Sequence, residues 1–129
     1  MASVNYISAV GRLLMAAIFL ASGFHKLLTP EQTQAYIASA NIPQPVAAYW
    51  ATVAVEVIGG ACLALGLATR FAALVLAVFS LAAAAFFHTN FADQNQFTNF
   101  MKNLAMAGGL LQVVAFGSGG LAITHRRRT

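Results

Sequence analysis

Four long apolar stretches, joined by short polar connections, make up most of this 129-residue chain. They run over residues 6–28, 46–68, 70–88 and 97–123. Each is close to the length of about 20 apolar residues that a helix needs to cross the hydrocarbon layer of a bilayer. The pattern predicts an all-α integral membrane protein, in which residues 1–129 form a single antiparallel four-helix bundle.

The longest connection carries the signals of a further, shorter helix. Thr29 is predicted to be the N-cap and Pro30 the first helical residue. Gln32 would complete a capping box with Thr29. Asn41 and Pro43 then end the segment. Because this segment mixes apolar with polar residues, we expect a short helix along the membrane interface, in the first outer loop.

Composition supports the membrane assignment. The chain is 60% hydrophobic and 8% charged, whereas soluble domains carry about 25% charged residues. Too few charges are present to cover a surface that faces water, so a soluble enzyme and a disordered chain are excluded. The single cysteine, Cys62, excludes an internal disulfide and a Cys-x-x-Cys site.

The placement of basic residues predicts the orientation of the helices. Arg70 and the terminal run Arg126, Arg127 and Arg128 fall on one side of the predicted bundle. Because cytoplasmic loops are enriched in Lys and Arg, both termini are predicted to be cytoplasmic. A nucleic-acid partner is not expected, because three arginines at a chain end are too few to form a binding surface.

The first apolar stretch has a second interpretation. Arg12, the apolar run that follows it and the small residues up to Gly23 could form a cleavable signal peptide. His25 and Lys26 favour a retained helix, because polar residues at this position make sense only if the segment stays in the bundle.

Small and polar residues recur on one face of each predicted helix. Polar side chains within a span usually face the protein interior, so these stripes predict the inward faces. The stripes comprise Arg12, Met15, Phe19, Ser22 and Lys26; Tyr49, Thr52, Glu56, Gly59, Leu63 and Gly66; Arg70, Ala73, Ala77, Ser80 and Ala84, with His88 one turn further on; and Lys102, Ala105, Gly109, Gln112 and Phe116.

Depth along the helices suggests partners for these polar groups. At 1.5 Å of rise per residue, Arg12 and Glu56 differ in depth by roughly 6 Å, which predicts a structural ion pair. Lys102 or a bound proton are the alternative partners of Glu56. Since burial of a carboxylate favours its protonated form, Glu56 is also a candidate proton carrier.

A second polar group gathers near the predicted outer surface. It consists of Ser22, His25, Lys26, His88, Lys102 and Asn103. Its basic and hydrogen-bonding side chains suit a ligand pocket. The alternative is that the lysines extend to the lipid headgroups and that the histidines are ordinary interfacial residues.

Motifs in all four stretches resemble the DoxX family. They are Gly-Arg-Leu-Leu at residues 11–14, Phe-Leu-Ala-Ser-Gly at 19–23, Glu-Val-Ile-Gly-Gly at 56–60, Thr-Arg-Phe-Ala-Ala at 69–73 and Lys-Asn-Leu at 102–104. The resemblance implies a small four-helix protein of a bacterial or archaeal cytoplasmic membrane. The family takes its name from a subunit of a thiosulfate:quinone oxidoreductase. The matching positions are Arg12, Ser22, Lys26, Glu56, Arg70, His88, Lys102 and Asn103.

The resemblance and the polar groups together suggest a membrane subunit or accessory protein of a quinone-linked oxidoreductase. A quinone, bound without a covalent link, would be held by Lys26, His88, Lys102 and Asn103. The chain carries no dithiol, haem-attachment motif or nucleotide loop, so a partner redox subunit would supply electrons. The chain could also form homo-oligomers, and no metal site is expected.

Three other functions stay open at this point. A basic vestibule above one carboxylate also suits a small anion or proton transporter or channel. A membrane scaffold without chemistry would need only the bundle. Haem held between His25 and His88 is the least favoured alternative.

Overall fold

The computed structural model describes residues 2–123, and in that range the regular structure consists of five helices. The helices are α1 (Ala2–Leu28), α2 (Pro30–Ser39), α3 (Pro45–Leu65), α4 (Thr69–Phe87) and α5 (Gln94–Phe116). The prediction of an all-helical chain is confirmed. We call the end that carries the turn between α3 and α4 the short-loop end, and the opposite end, next to α2, the α2 end.

Three helices of the described region, α1, α3 and α4, are long and apolar enough to cross a membrane. They correspond to the first three predicted spans. Helix α5 has 23 residues, but its first turns are polar and include Gln94, Asn95, Gln96, Asn99 and Lys102. It is therefore not one of the three helices that qualify by length and composition.

The helices pack in the spatial order α1, α3, α4 and α5, with α2 against α3. One apolar core receives side chains from all four long helices, among them Phe19, Leu63, Leu76 and Leu110. Most other large apolar side chains are exposed on the circumference. That distribution is the one expected where the surrounding solvent is lipid and apolar.

Two glycines allow α1 and α3 to approach each other closely. A Cβ atom on Gly23 would lie 2.6 Å from Val57 Cγ2, and one on Gly60 would lie 3.1 Å from Leu20 Cγ. Small residues at such positions bring helix backbones together within membranes. The close contact sets the residues of α1 that follow Gly23 beside the first half of α3.

The short helix α2 forms as predicted, although its N-terminus is built differently. Pro30 occupies the first turn, but the Thr29 side chain makes no capping hydrogen bond. The Thr29 hydroxyl instead donates to the carbonyl of His25 at 3.0 Å. The predicted capping box is therefore wrong. The Thr29 hydroxyl bonds the last turn of α1 instead of a backbone N–H in the first turn of α2.

The last helix is shorter than predicted, ending at Phe116 rather than at Ile123. Gly117 and Gly119 have φ angles of +82° and +77°, which glycine adopts without the steric cost of a Cβ. The chain turns back there, and Ile123 N donates to the carbonyl of Leu65 at 3.1 Å. Residues 117–123 thus cover the short-loop end. The orientation signal Arg126–Arg128 lies outside the described residues.

Arg12 links this returning segment to the helices. Its side chain is 2% exposed and donates to the carbonyls of Leu63 at 2.8 Å, Ala64 at 3.1 Å and Ser118 at 2.9 Å, and to that of Leu121. The last carbonyls of α3 have no partner within the helix and form the negative end of its dipole. The guanidinium therefore finds its counter-charge in backbone dipoles.

We expect Arg12→Lys to lower the free energy of unfolding by about 2 kcal/mol, because a lysine ammonium cannot reproduce a planar fork that spans four carbonyls. Thermal unfolding of the detergent-solubilised protein measures the change. Arg70→Lys is the matched control, since Arg70 is exposed. Equal stability of the two variants would contradict this account of Arg12.

Candidate functional site

A cavity of about 480 Å³ lies toward the α2 end of the molecule. All five helices contribute to its wall, and α1 and α5 stand on either side of it. These two helices make few contacts with each other. Nearer the short-loop end they do approach, because a Cβ atom on Gly109 would lie 3.1 Å from Met15 Sδ. The cavity therefore occupies the space where α1 and α5 separate.

The structure brings together most of the side chains that the sequence singled out as a site. Six of them line the cavity: Ser22, Lys26, Glu56, His88, Lys102 and Asn103. His25 is exposed and is not among the lining residues. Arg12 lies apart from the cavity, among the carbonyls at the short-loop end. That the six residues bind a ligand stays a prediction.

An ion pair between Lys26 and Glu56 joins α1 to α3 at the cavity wall. The Lys26 side chain is 23% exposed, whereas that of Glu56 is 1% exposed. The Lys26 ammonium also lies 5.5 Å from the centre of the Phe79 ring, within the range of a cation–π contact. The ammonium is thus held between a carboxylate and an aromatic face.

The ion pair replaces the predicted pair between Arg12 and Glu56, which does not form. In a helix every side chain leans toward the N-terminus, and α1 and α3 run in opposite directions. Arg12 therefore leans toward the short-loop end, while Glu56 leans toward the α2 end, where Lys26 meets it. Depth along the axis was an insufficient guide because it ignored these directions.

Within the described residues, only one of the two carboxylate oxygens of Glu56 has a hydrogen-bond partner. Its Oε1 atom accepts from Lys26, but Oε2 is buried and has no hydrogen-bond partner among the described residues. His88 Nδ1 is in the same condition. An unsatisfied buried polar atom is costly, so it requires an explanation. Both atoms belong to residues that line the cavity.

His88 follows the last residue of α4 and faces the same space. Partial burial lowers the pKa of its imidazole below the ordinary value, because the charged form loses hydration. The ring is therefore neutral near pH 7, with one nitrogen that donates and one that accepts.

Backbone contacts set the position of Lys26. The Tyr49 hydroxyl donates to the Lys26 carbonyl at 2.9 Å, and Tyr49 itself is 1% exposed. This carbonyl lies in the last turn of α1 and also accepts from Thr29 N at 3.2 Å. Tyr49 thereby fixes the end of α1 against α3, beside Glu56.

Helix α2 closes the cavity at its end. Thr33, Tyr36 and Ile37 line it, and the Tyr36 ring stacks on Phe87 with centroids 4.9 Å apart. Ile37 is buried against Tyr49 of α3. The sequence predicted the helix but not this contribution, because the spacing of its apolar residues does not show what they contact.

The inward face of α5 differs from the predicted stripe. Ala105, Gln112 and Phe116 are exposed, while Ala107, Leu110 and Val113 are buried. The stripe was assigned from Lys102, whose long side chain reaches the cavity although the residue is exposed. A pattern from Asn99 through Asn103 and Met106 to Leu110 would have found the correct face, and Asn99 also lines the cavity.

An apolar layer lies on the short-loop side of the cavity. It consists of Phe19, Leu63, Leu76 and Leu110, each at most 3% exposed. Arg12 lies beyond it. Within residues 2–123, no group of three His, Cys, Asp or Glu side chains is placed to hold a metal ion.

These features define a small helical membrane protein with a cavity between its helices. The chain belongs to the DoxX family, whose model matches residues 7–89. It is 34% identical over 114 residues to the inner membrane protein YqjF of Escherichia coli, covering 88% of this chain and 86% of that protein. It is 30% identical over 122 residues to the inner membrane protein YphA of the same organism, covering 91% and 87%. No solved structure matches the chain.

We expect Lys26→Met to lower the free energy of unfolding by about 3 kcal/mol, because removing one partner leaves a buried carboxylate without a counter-charge. The double variant Lys26→Met/Glu56→Leu should recover most of the loss, since no charge is then buried. Thermal unfolding of the single and double variants in one detergent measures both changes. A double variant that is less stable than Lys26→Met would argue against a coupled pair.

Proposed function

We propose that the chain crosses the inner membrane four times as an antiparallel bundle, with α2 along the outer interface. Helix α5 supports a fourth span: its 23 residues extend about 34 Å, enough for a hydrocarbon layer of about 30 Å. It also packs along α4. The location follows the names of the two relatives, which are inner membrane proteins. Arg70, in the first turn of α4, favours a cytoplasmic short-loop end.

This topology predicts which single cysteines a membrane-impermeant thiol reagent can label from outside. In a Cys62→Ala background, Ala92→Cys should react in intact spheroplasts, because it lies in the loop before α5. Ser3→Cys and Ile123→Cys should react only after the membrane is opened. Labelling of Ile123→Cys from outside would contradict a fourth span.

We further propose that the protein is a membrane subunit or accessory protein of a quinone-linked oxidoreductase, whose cavity receives the quinone headgroup. The observation that carries this proposal is the group of unsatisfied and basic side chains in one cavity. A cavity of about 480 Å³ falls within the ordinary range for ligand sites.

The residues present fit a quinone. Lys102 and Asn103 provide donors to its oxygen atoms, and a cationic donor stabilises negative charge on those oxygens. Ile18, Phe79 and Phe86 offer apolar surface to the ring and its chain. A quinone carries two electrons and two protons between membrane enzymes, and a partner subunit would supply or accept the electrons.

The position of the cavity suits a ligand dissolved in the bilayer. It lies between α1 and α5, which make few contacts, and Ile18 and Lys102 on its two sides are exposed. A lipophilic molecule can therefore enter sideways without crossing water.

Ion conduction receives less support from the same geometry. Lys26, Lys102 and Glu56 would suit an ion path, but the apolar layer of Phe19, Leu63, Leu76 and Leu110 separates them from the short-loop end. A conducting state would have to separate these packed side chains. Binding requires no such rearrangement, and a scaffold without chemistry would not account for the unsatisfied Glu56 Oε2.

We expect the protein in lipid nanodiscs to bind a short-chain 1,4-benzoquinone, and Lys102→Ala to raise the Kd about tenfold, the value of one charge-assisted hydrogen bond. Glu56→Gln should lower the Kd, because an amide can donate to a quinone oxygen whereas an ionised carboxylate cannot. Isothermal titration calorimetry measures the Kd. Glu31→Gln is the control, because Glu31 is exposed in α2 and does not line the cavity. Absence of binding, or equal Kd values for all variants, would overturn the proposal.

A further inference from the structure

The described residues include three buried side-chain atoms that lack a hydrogen-bond partner. They are Glu56 Oε2, His88 Nδ1 and Thr69 Oγ1. Glu56 and His88 line the cavity, whereas Thr69 lies at the start of α4, at the short-loop end. The chemistry of the unpartnered atoms on these two lining residues restricts what a ligand that reaches them must bring.

Glu56 sets the stricter requirement. With Lys26 on its Oε1 atom, the side chain acts as the anionic half of an ion pair, and an ionised carboxylate only accepts hydrogen bonds. Its Oε2 atom therefore requires a donor. A carbonyl oxygen cannot satisfy it, but a hydroxyl can.

The other polar groups of the wall do not make this distinction. Lys102 and the Asn103 amide offer donors, and the oxygen of a hydroxyl accepts from them as a carbonyl oxygen does. The neutral His88 ring can donate or accept. Glu56 Oε2 is thus the atom that separates a ligand with hydroxyl groups from one with carbonyl groups.

We propose that the cavity recognises the hydroxyl-bearing, reduced form of its ligand, a hydroquinone, in preference to the quinone, through a hydrogen bond from one hydroxyl to Glu56 Oε2. This inference rests on the proposed function, because it concerns the same cavity and ligand class. A bound quinone leaves Oε2 without a donor, so only the hydroquinone gains the hydrogen bond that this buried oxygen lacks. Both forms fill the apolar part of the cavity equally.

The test compares three probes with the same ring: tetramethyl-1,4-benzoquinone, its hydroquinone kept reduced under nitrogen, and the dimethyl ether of that hydroquinone. Calorimetry on the full chain in nanodiscs gives each Kd. We expect the hydroquinone to bind about tenfold more tightly than the quinone, the ratio that one hydrogen bond to a charged group provides. The ether has no donor, so it should lose this advantage.

Glu56→Gln tests the assigned atom. An amide both donates and accepts, so the preference for the hydroquinone should fall to within about twofold, whereas Glu31→Gln should keep the tenfold ratio. If the substitution prevents folding, the comparison of hydroquinone with its ether in the unaltered protein still decides. Equal or tighter binding of the quinone would overturn this inference and leave the proposed function standing. Failure of all three probes to bind would overturn both.

Discussion

A charged group that is placed in an apolar solvent must find its partners inside the protein, and this requirement organises the contact between α1 and α3. Arg12 meets it with four backbone carbonyls. Lys26, fourteen residues later on the same helix, meets it with Glu56. The two residues lie about 21 Å apart along α1, and their contacts fix the register of α3 against α1 at two levels. Gly23 and Gly60 supply the close approach that both contacts need.

Much of this arrangement can be predicted from sequence, and the part that cannot has a geometric cause. The apolar stretches predicted the long helices, because spanning length and composition are properties of single segments. Six cavity residues, including Ser22, His88 and Asn103, were found because polar side chains within or beside apolar helices are rare. Which cation pairs with Glu56 could not be found this way, since it depends on the direction in which each side chain leans once two helices are antiparallel.

Helix α5 shows a second limit. Its polar first turns and small residues leave the apolar period ambiguous, and the stripe drawn through Lys102 selected Ala105 and Gln112 instead of Ala107 and Leu110. A long side chain at the edge of a buried face misleads an assignment by spacing, because it can reach inward from an exposed position. The end of the same helix was readable in principle, since Gly117 and Gly119 mark a turn. The prediction extended the helix to residue 123 because Leu121, Ala122 and Ile123, which follow these glycines, are apolar.

The unsatisfied Glu56 Oε2 connects the structure to binding in thermodynamic terms. A buried acceptor without a donor raises the free energy of the protein without ligand, and α1 and α3 tolerate this because the Lys26–Glu56 pair holds them together. A ligand that supplies the donor removes the cost and so binds the folded chain selectively, which stabilises it. Apolar residues at the same positions would give a more stable bundle but no such selectivity. In the proposed function, the polar wall thus serves recognition of a ligand at some cost to the stability of the fold.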